Sequence, residues 1–382
     1  MWKQVTTRLV LAAISVLFVT ACAPKATSTP APTATMVQPL ATVAAPKSVA
    51  EDDPWAKVVA AAKKEGTVTI YSTVFVADIG RRISQDFQKQ FDIKVEILSG
   101  NGATLKERIL LEQSIKNQVG DVFNIGGAGS TSELVVMGRA DRIDDLPAVK
   151  ERSAFKVDPV YSPGGELLVW LIAYSTAVIN SNLVKGDEEP KSYKDILSPR
   201  WKGQILIPDP RNTGGATPFF YVPRYFKALD LEYYRQLAQL DVKEWGGNPR
   251  EAIRMVARGE FAFYLGGSTD TAAPIIAEGA PVKFPSLEEG ATGHLGNVMV
   301  VKGAPHPNAA RVFVNWLVSK EGQYSYGESS TSTPARKDVP DFIHPKAKIE
   351  PLPKLWPRTW EFEEWAIKDQ KDKTLEQIFG RK

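Results

Sequence analysis

Residues 53–72 read DPWAKVVAAAKKEGTVTIYS, and the change of period inside this stretch decides the fold class. Asp53 suits a helix N-cap and Pro54 the first helical position. Trp55, Val58, Val59 and Ala62 follow at helical spacing until Gly66 ends the helix. Thr67 to Ser72 then reads as a strand. Moving outward, the spacing predicts a helix near 78–90 (Ile79, Ile83, Phe87) and an alternating strand over 93–98. A helix over 103–118, a short strand over 121–125 and a helix ending near Gly138 continue the pattern. Strands alternating with helices of this length predict parallel βαβ units.

A second series follows, with strands over 167–174 and 204–207, helices near 217–240, a helix over 249–258 and a strand over 261–265. Asn248-Pro249 opens the 249–258 helix and Gly259 closes it. The late strand 295–301 and helix 308–320 imply that the chain crosses between two lobes more than once. The tail after Asp338, with Trp356, Trp360 and Trp365, reads as a pair of helices packed on the second lobe.

The chain starts differently. Lys3 and Arg8 precede an apolar run from Leu9 to Val19, too short to span a bilayer, and Val19-Thr20-Ala21-Cys22 ends it. This resembles the lipobox of bacterial lipoproteins, which implies that Cys22 is lipidated and becomes the first mature residue. Residues 23–53 are rich in Ala, Pro, Thr and Ser, a composition that buries no core and favours a solvated tether.

Composition narrows the function. The chain of 382 residues has 47 basic and 44 acidic side chains, and without Lys3 and Arg8 the balance is 45 against 44. That near-neutrality gives no footprint for nucleic acid or a polybasic membrane patch. Cys22 is the sole cysteine, so no internal disulfide, Cys-containing zinc site or redox pair is available. No P-loop, G-x-S-x-G or H-E-x-x-H is present, and His294, His306 and His344 are scattered. His306 and His344 each precede a proline in expected exposed loops. Gly100-Asn101-Gly102 begins like a dinucleotide fingerprint whose last glycine is missing. These observations point to a binding protein with no cofactor, not an enzyme.

From Gly66 to about Asp338 the chain resembles the extracellular solute-binding proteins of ABC importers, the ferric-iron-binding group and its non-iron relatives above all. The likeness is carried by Glu65-Gly66-Thr67-Val68-Thr69-Ile70-Tyr71, Asp121-Val122-Phe123 and Pro190-Lys191-Ser192-Tyr193-Lys194-Asp195-Ile196. Pro199-Arg200-Trp201-Lys202-Gly203-Gln204-Ile205, Ala257-Arg258-Gly259-Glu260-Phe261-Ala262 and His306-Pro307-Asn308-Ala309-Ala310 add to it.

The resemblance implies an α/β, two-lobed type II periplasmic-binding-protein fold, each lobe a mixed sheet flanked by helices, with a hinge between. Lobe 1 is expected over 54–168 and 288–334 and lobe 2 over 169–287 and 335–382, with crossings near 165–172 and 284–294. It does not carry the iron chemistry with it. The group's first metal ligand falls at Phe75, its carboxylate at Gly126 and its tyrosine pair near Gly267 and Ser268. A hard trivalent ion needs anionic oxygen ligands, which Phe, Gly and Ser do not supply. Tyr233-Tyr234 is an adjacent pair inside a helical stretch, where neighbours point about 100° apart, and reads as surface and packing.

In a doubly wound lobe the crevice lies at the carboxyl ends of the strands. Those ends hold Ser72, Thr73, Asn101, Gly126, Gly127, Gly267, Ser268 and Thr269, with Asn212 and Thr213 in a further loop. Backbone N–H groups and hydroxyls at helix starts make an anion pocket. The expected solute is thus a small organic anion, such as a carboxylate, phosphonate or phosphorylated compound, with Arg211 as countercharge. Phe219-Phe220-Tyr221 reads as core, with stacking on an aromatic solute as the alternative. The expected protein is a monomeric, lipid-anchored receptor in the cell envelope that serves a permease and ATPase. A ferric-ion receptor and a non-transport lipoprotein on the same fold are the alternatives.

Overall fold

The computed structural model describes residues 53–127, 129–211, 217–330, 332–342, 355–356, 358–370 and 373–380. All belong to one compact unit, Val49–Lys382. Cys22, the leader, the tether up to residue 52, Asn212 and Thr213 lie outside the described residues.

Helix α1 (Pro54–Glu65) starts where the sequence reading places it, with the Asp53 side chain accepting from Trp55 N–H. Gly66 closes it at φ 71°, a left-handed turn that glycine adopts without a Cβ clash. Strand β1 (Thr67–Ser72), α2 (Ala77–Phe91), β2 (Lys94–Ser99), α3 (Gly102–Ser114), β3 (Val122–Ile125) and α4 (Gly129–Val136) follow. β1 runs parallel to both β2 and β3, the arrangement that alternating strands and helices require.

β4 (Leu168–Asn180) is thirteen residues long and extends well past the apolar run that announced it. The second series comprises β5 (Ile205–Pro208), α5 (Leu231–Ala238), β6 (Lys243–Trp245), α6 (Pro249–Ala257), β7 (Phe263–Ser268) and α7 (Thr269–Ala277). The chain then returns through β8 (Ala291–Val301), α8 (Pro307–Val318) and α9 (Lys320–Ser330), and α10 (Trp360–Gln370) and α11 (Thr374–Phe379) end it.

Among the described residues one sheet orders these strands β2-β1-β3-β8-β4-β7-β5-β6, with two-residue strands pairing onto the central β4 and β8. β8 is antiparallel to β3 and to β4, and β4 is antiparallel to β7. β5 is parallel to both β6 and β7.

The buried side chains divide along this sheet. Val68, Ile70, Phe87, Trp170, Phe313 and Trp316 belong to one core, whereas Ile179, Ile207, Phe220, Tyr234 and Phe263 belong to another. β4 feeds both, with Leu168 to Ile172 in the first and Ala177 and Ile179 in the second. β8 passes beside it, Thr292 opposite Ser175 and Gly293 opposite Tyr174. The two lobes are therefore joined by paired long strands, a hinge geometry.

The two helices of the tail pack on both sides. Phe362, Ala366, Leu375 and Phe379 pack into the second core, and Arg224 forms a two-pronged pair with Asp369. On its other side α10 touches the first lobe, where Tyr161 Oη donates to Glu363 Oε1 at 2.7 Å and its ring meets Trp360 edge-on. Arg358 also binds Glu363, and both side chains are buried.

Two readings are corrected. Tyr233 and Tyr234 are both buried, because α5 lies among Tyr193, Phe219 and Phe220, and Tyr234 Oη donates to the Phe219 carbonyl. Neither is a surface residue. His306 is also less exposed than a pre-proline loop suggests: its backbone N–H and Nδ1 both reach the buried Asp121 carboxylate, at 2.8 and 2.9 Å. Burial pushes the Asp121 carboxyl up, against the pull of Thr69 N–H and His306. Phe219, Phe220 and Tyr221 are buried together as core.

Candidate functional site

Five helices begin at the same cleft, a cavity of about 310 Å³ between the lobes. From the first lobe come Thr73, Val74 and Val76 before α2, Gly100 to Gly102 before and into α3, and Ile125 to Gly127 with Ser130 around the start of α4. From the second come Gly246 to Arg250 at α6 and Gly266, Ser268, Asp270 and Thr271 at α7. Ser175 on β4 and Pro218 complete the wall. A parallel strand followed by a helix brings the helix start to the strand's carboxyl end, so the topology itself gathers these N-termini. Each brings N–H groups without intrahelical partners and the positive end of a helix dipole.

The polar groups on this wall are only partly committed. Thr73 Oγ1 accepts from Gly126 N–H at 3.1 Å, which leaves its own proton for another acceptor. Asn101 caps α3 through Oδ1, accepting from Ala103 N–H, and its amide NH₂ has no acceptor among the described residues. Ser130 Oγ is fully buried and has no hydrogen-bond partner among the described residues. A Cβ on Gly102 would lie 3.3 Å from that oxygen and 3.6 Å from Thr73 Cγ2, so α3, α4 and the β1 loop converge closely here.

Among the described residues two formal charges line the cleft, Arg250 and Asp270. Arg250 is half-buried and makes no ion pair among the described residues. Asp270 is 7 % exposed, and its Oδ1 has no donor among the described residues. Both act on the buried Tyr326 of the first lobe. Burial raises that phenol's pKa, the Asp270 charge raises it further, and the Arg250 charge opposes them.

Thr73, Asn101, Gly126, Gly127 and Ser268 lie on the lining, as the strand-end rule places them. Ser72, Gly267 and Thr269 stand behind it. Ser72 Oγ accepts from Phe75 N–H and contacts Asn124 Oδ1, which shapes the β1 loop. Thr269 Oγ1 accepts from Tyr174 N–H at the crossover. A Cβ on Gly267 would fall 2.2 Å from Val178 Cγ2, so this glycine permits close strand packing. Arg211 is off the lining, its guanidinium bonded to both oxygens of Asp209 at 2.7 and 2.9 Å and reaching Glu244.

The loop Gly246-Gly247-Asn248-Pro249-Arg250 is the part that sequence reasoning missed. It follows β6, only three residues long, so no strand announced a carboxyl end there. The signal in the sequence is two glycines running into Asn-Pro, a pattern that by itself marks only a helix start. The positions where ferric receptors carry ligands hold no replacement. Phe75 packs edge-on against Trp170 in the first core, and the described lining offers one carboxylate and no phenol.

The profile of the family described as bacterial extracellular solute-binding protein matches residues 82–355. Iron uptake protein A1 of Synechocystis is 27% identical over 290 residues, covering 71% of this chain and 78% of its own. A putative 2-aminoethylphosphonate-binding periplasmic protein of Salmonella typhimurium is 23% identical over 318 residues, 78% of this chain and 88% of that one. Among solved structures, the periplasmic binding protein AfuA of Actinobacillus pleuropneumoniae, with exogenous fructose-6-phosphate bound, superposes with a TM-score of 0.68. It shares 22% identity and covers 82% of this chain and 97% of its own, a likeness of fold. By fold, cleft topology and profile, the chain belongs to the bacterial extracellular solute-binding proteins, the receptor family of ABC importers.

Proposed function

We propose that this receptor captures a small organic anion in the inter-lobe cleft, closes about its strand hinge, and delivers the solute to a membrane permease. The observation that carries the reading is the convergence of helix N-termini from both lobes on one polar cleft with an uncommitted arginine. Backbone N–H groups and helix dipoles favour negative charge, and closure would lower the local dielectric around them. Contacts from both lobes are required, because a ligand held equally well open and closed shifts no equilibrium.

Relatives named for iron and for an aminophosphonate stand beside a structural neighbour with a sugar phosphate bound, so the solute class rests on this chain's own lining. A thermal-shift screen of the purified protein against carboxylates, phosphonates, sugar phosphates, neutral sugars and ferric ion tests it. Stabilisation by an anionic compound, confirmed by calorimetry and by a smaller radius of gyration in X-ray scattering, is expected. A visible charge-transfer band on iron loading, or hits confined to neutral sugars, would refute it.

The same reading places the receptor at the envelope surface, tethered through acyl chains on Cys22. No helix among the described residues is long and apolar enough to cross a membrane. Mass spectrometry of protein from a lipidating host should find a diacylglyceryl adduct on Cys22. A chain cleaved elsewhere, with Cys22 absent or unmodified, removes the anchor.

A further inference from the structure

The carboxylate of Asp270 is the least explained group in the cleft. It sits in the first turn of α7, on the cavity wall, with nine-tenths of its surface covered and Oδ1 lacking any donor among the described residues. Burying a charged oxygen without a partner is costly, and buried polar atoms are nearly always satisfied. Helix capping does not account for it. Ser268 is the N-cap, and its hydroxyl and backbone N–H already pair with Thr271 Oγ1 at 2.8 and 3.2 Å. An acid in a first turn gains from the helix dipole, but it gains the same when solvated. No ion pair among the described residues reaches Asp270, although Arg250 lines the same cavity.

The two formal charges on the lining, one of each sign, sum to zero. A simple anion entering the cleft would have Arg250 and the helix N-termini to greet it, with the Asp270 carboxylate left bare or repelling it. A solute that also carries an ammonium group satisfies both walls: its anionic end takes the N–H groups, Ser130 Oγ and Arg250, and its cationic end supplies the missing donor.

We infer that Asp270 is the specificity-determining residue of this cleft and that it selects an amino-substituted anion, the solute's ammonium group seated against the carboxylate of Asp270. The inference rests on the organic-anion reading above and narrows it.

The test uses the purified full chain and its Asp270→Asn variant in isothermal titration near neutral pH. The probes are two matched sets: 2-aminoethylphosphonate, ethylphosphonate and 2-hydroxyethylphosphonate, with β-alanine and propionate alongside. The wild-type protein should bind the amino member of a set about 100-fold more tightly than its amine-free partner, the scale expected for a buried charge pair. In Asp270→Asn that preference should shrink to about threefold or less, while affinity for the amine-free anion holds or improves because repulsion is gone. Wild-type binding of the anions with no amine preference, or a preference for the hydroxyl compound, overturns the inference and leaves the anion reading standing. A preference that persists in a folded Asp270→Asn protein also overturns it. Binding of none of the five overturns the inference, and the anion reading then stands or falls on the wider screen above. The wild-type panel decides the first question even if the variant does not fold.

Discussion

Arg250→Ala should lose affinity for the anionic solute by about 100-fold while the unliganded protein melts at nearly the wild-type temperature. A hydrogen bond to a charged group contributes about 1.5–3 kcal/mol, and truncating one partner of a buried charge pair costs about 2–5 kcal/mol. A hundredfold loss lies inside that range. The stability half follows from position. Arg250 occupies the first turn of α6, where a cation opposes the helix dipole, and no carboxylate pairs with it among the described residues. Removing it therefore costs the free protein nothing in ion pairing. Arg250→Lys keeps the charge but loses the planar fork, so an intermediate deficit of about tenfold is expected. Calorimetry with an identified anion reads both. Wild-type affinity in Arg250→Ala would remove the arginine from the site.

The largest loss of stability is expected at Glu363→Ala. Arg358 has a fully buried side chain, and Glu363 is its partner there, so truncation strands a charge in the interior. Such changes cost about 3–5 kcal/mol. Tyr161 loses its acceptor at the same time. Its phenol pKa is held well up, by burial first and then by the Glu363 charge, so it remains a neutral donor. Urea titration should show a clear drop in the midpoint for Glu363→Ala. The double change Arg358→Met with Glu363→Leu should recover most of the loss, because it removes both charges together. If Glu363→Ala unfolds like the wild type, the pair is not stabilising the tail.

Legibility followed periodicity. α1, β1 and α6 were readable because caps, prolines and glycines coincide with the changes of period, and each begins where those residues place it. β4 was read too short because Ser175 and Thr176 interrupt its apolar run, yet the strand continues where it passes from β8 to β7 as neighbour. On the cleft wall, loops after recognisable strands were found and the loop after three-residue β6 was not. Local reasoning pointed to Arg211 and did not weigh Arg250. Each arginine follows a strand, and only tertiary contacts show that Asp209 pairs with the first and that no carboxylate among the described residues pairs with the second. The burial of Tyr233 and Tyr234 was hidden for a related reason, since both faces of α5 that carry them are covered by segments distant in sequence.

The position of β8 between β3 and β4 has a consequence for how the chain is made. β3 ends at Ile125, and its neighbour toward the hinge is not synthesised until residues 291–301. Until then β3 and β4 each present an unpaired edge, on segments whose side chains are almost all buried in the finished protein. Such separations slow folding, and open apolar edges invite association with other chains. An emerging polypeptide shorter than about 300 residues thus holds two incomplete half-sheets, and a holdase that shields them until β8 arrives should raise the yield of native protein.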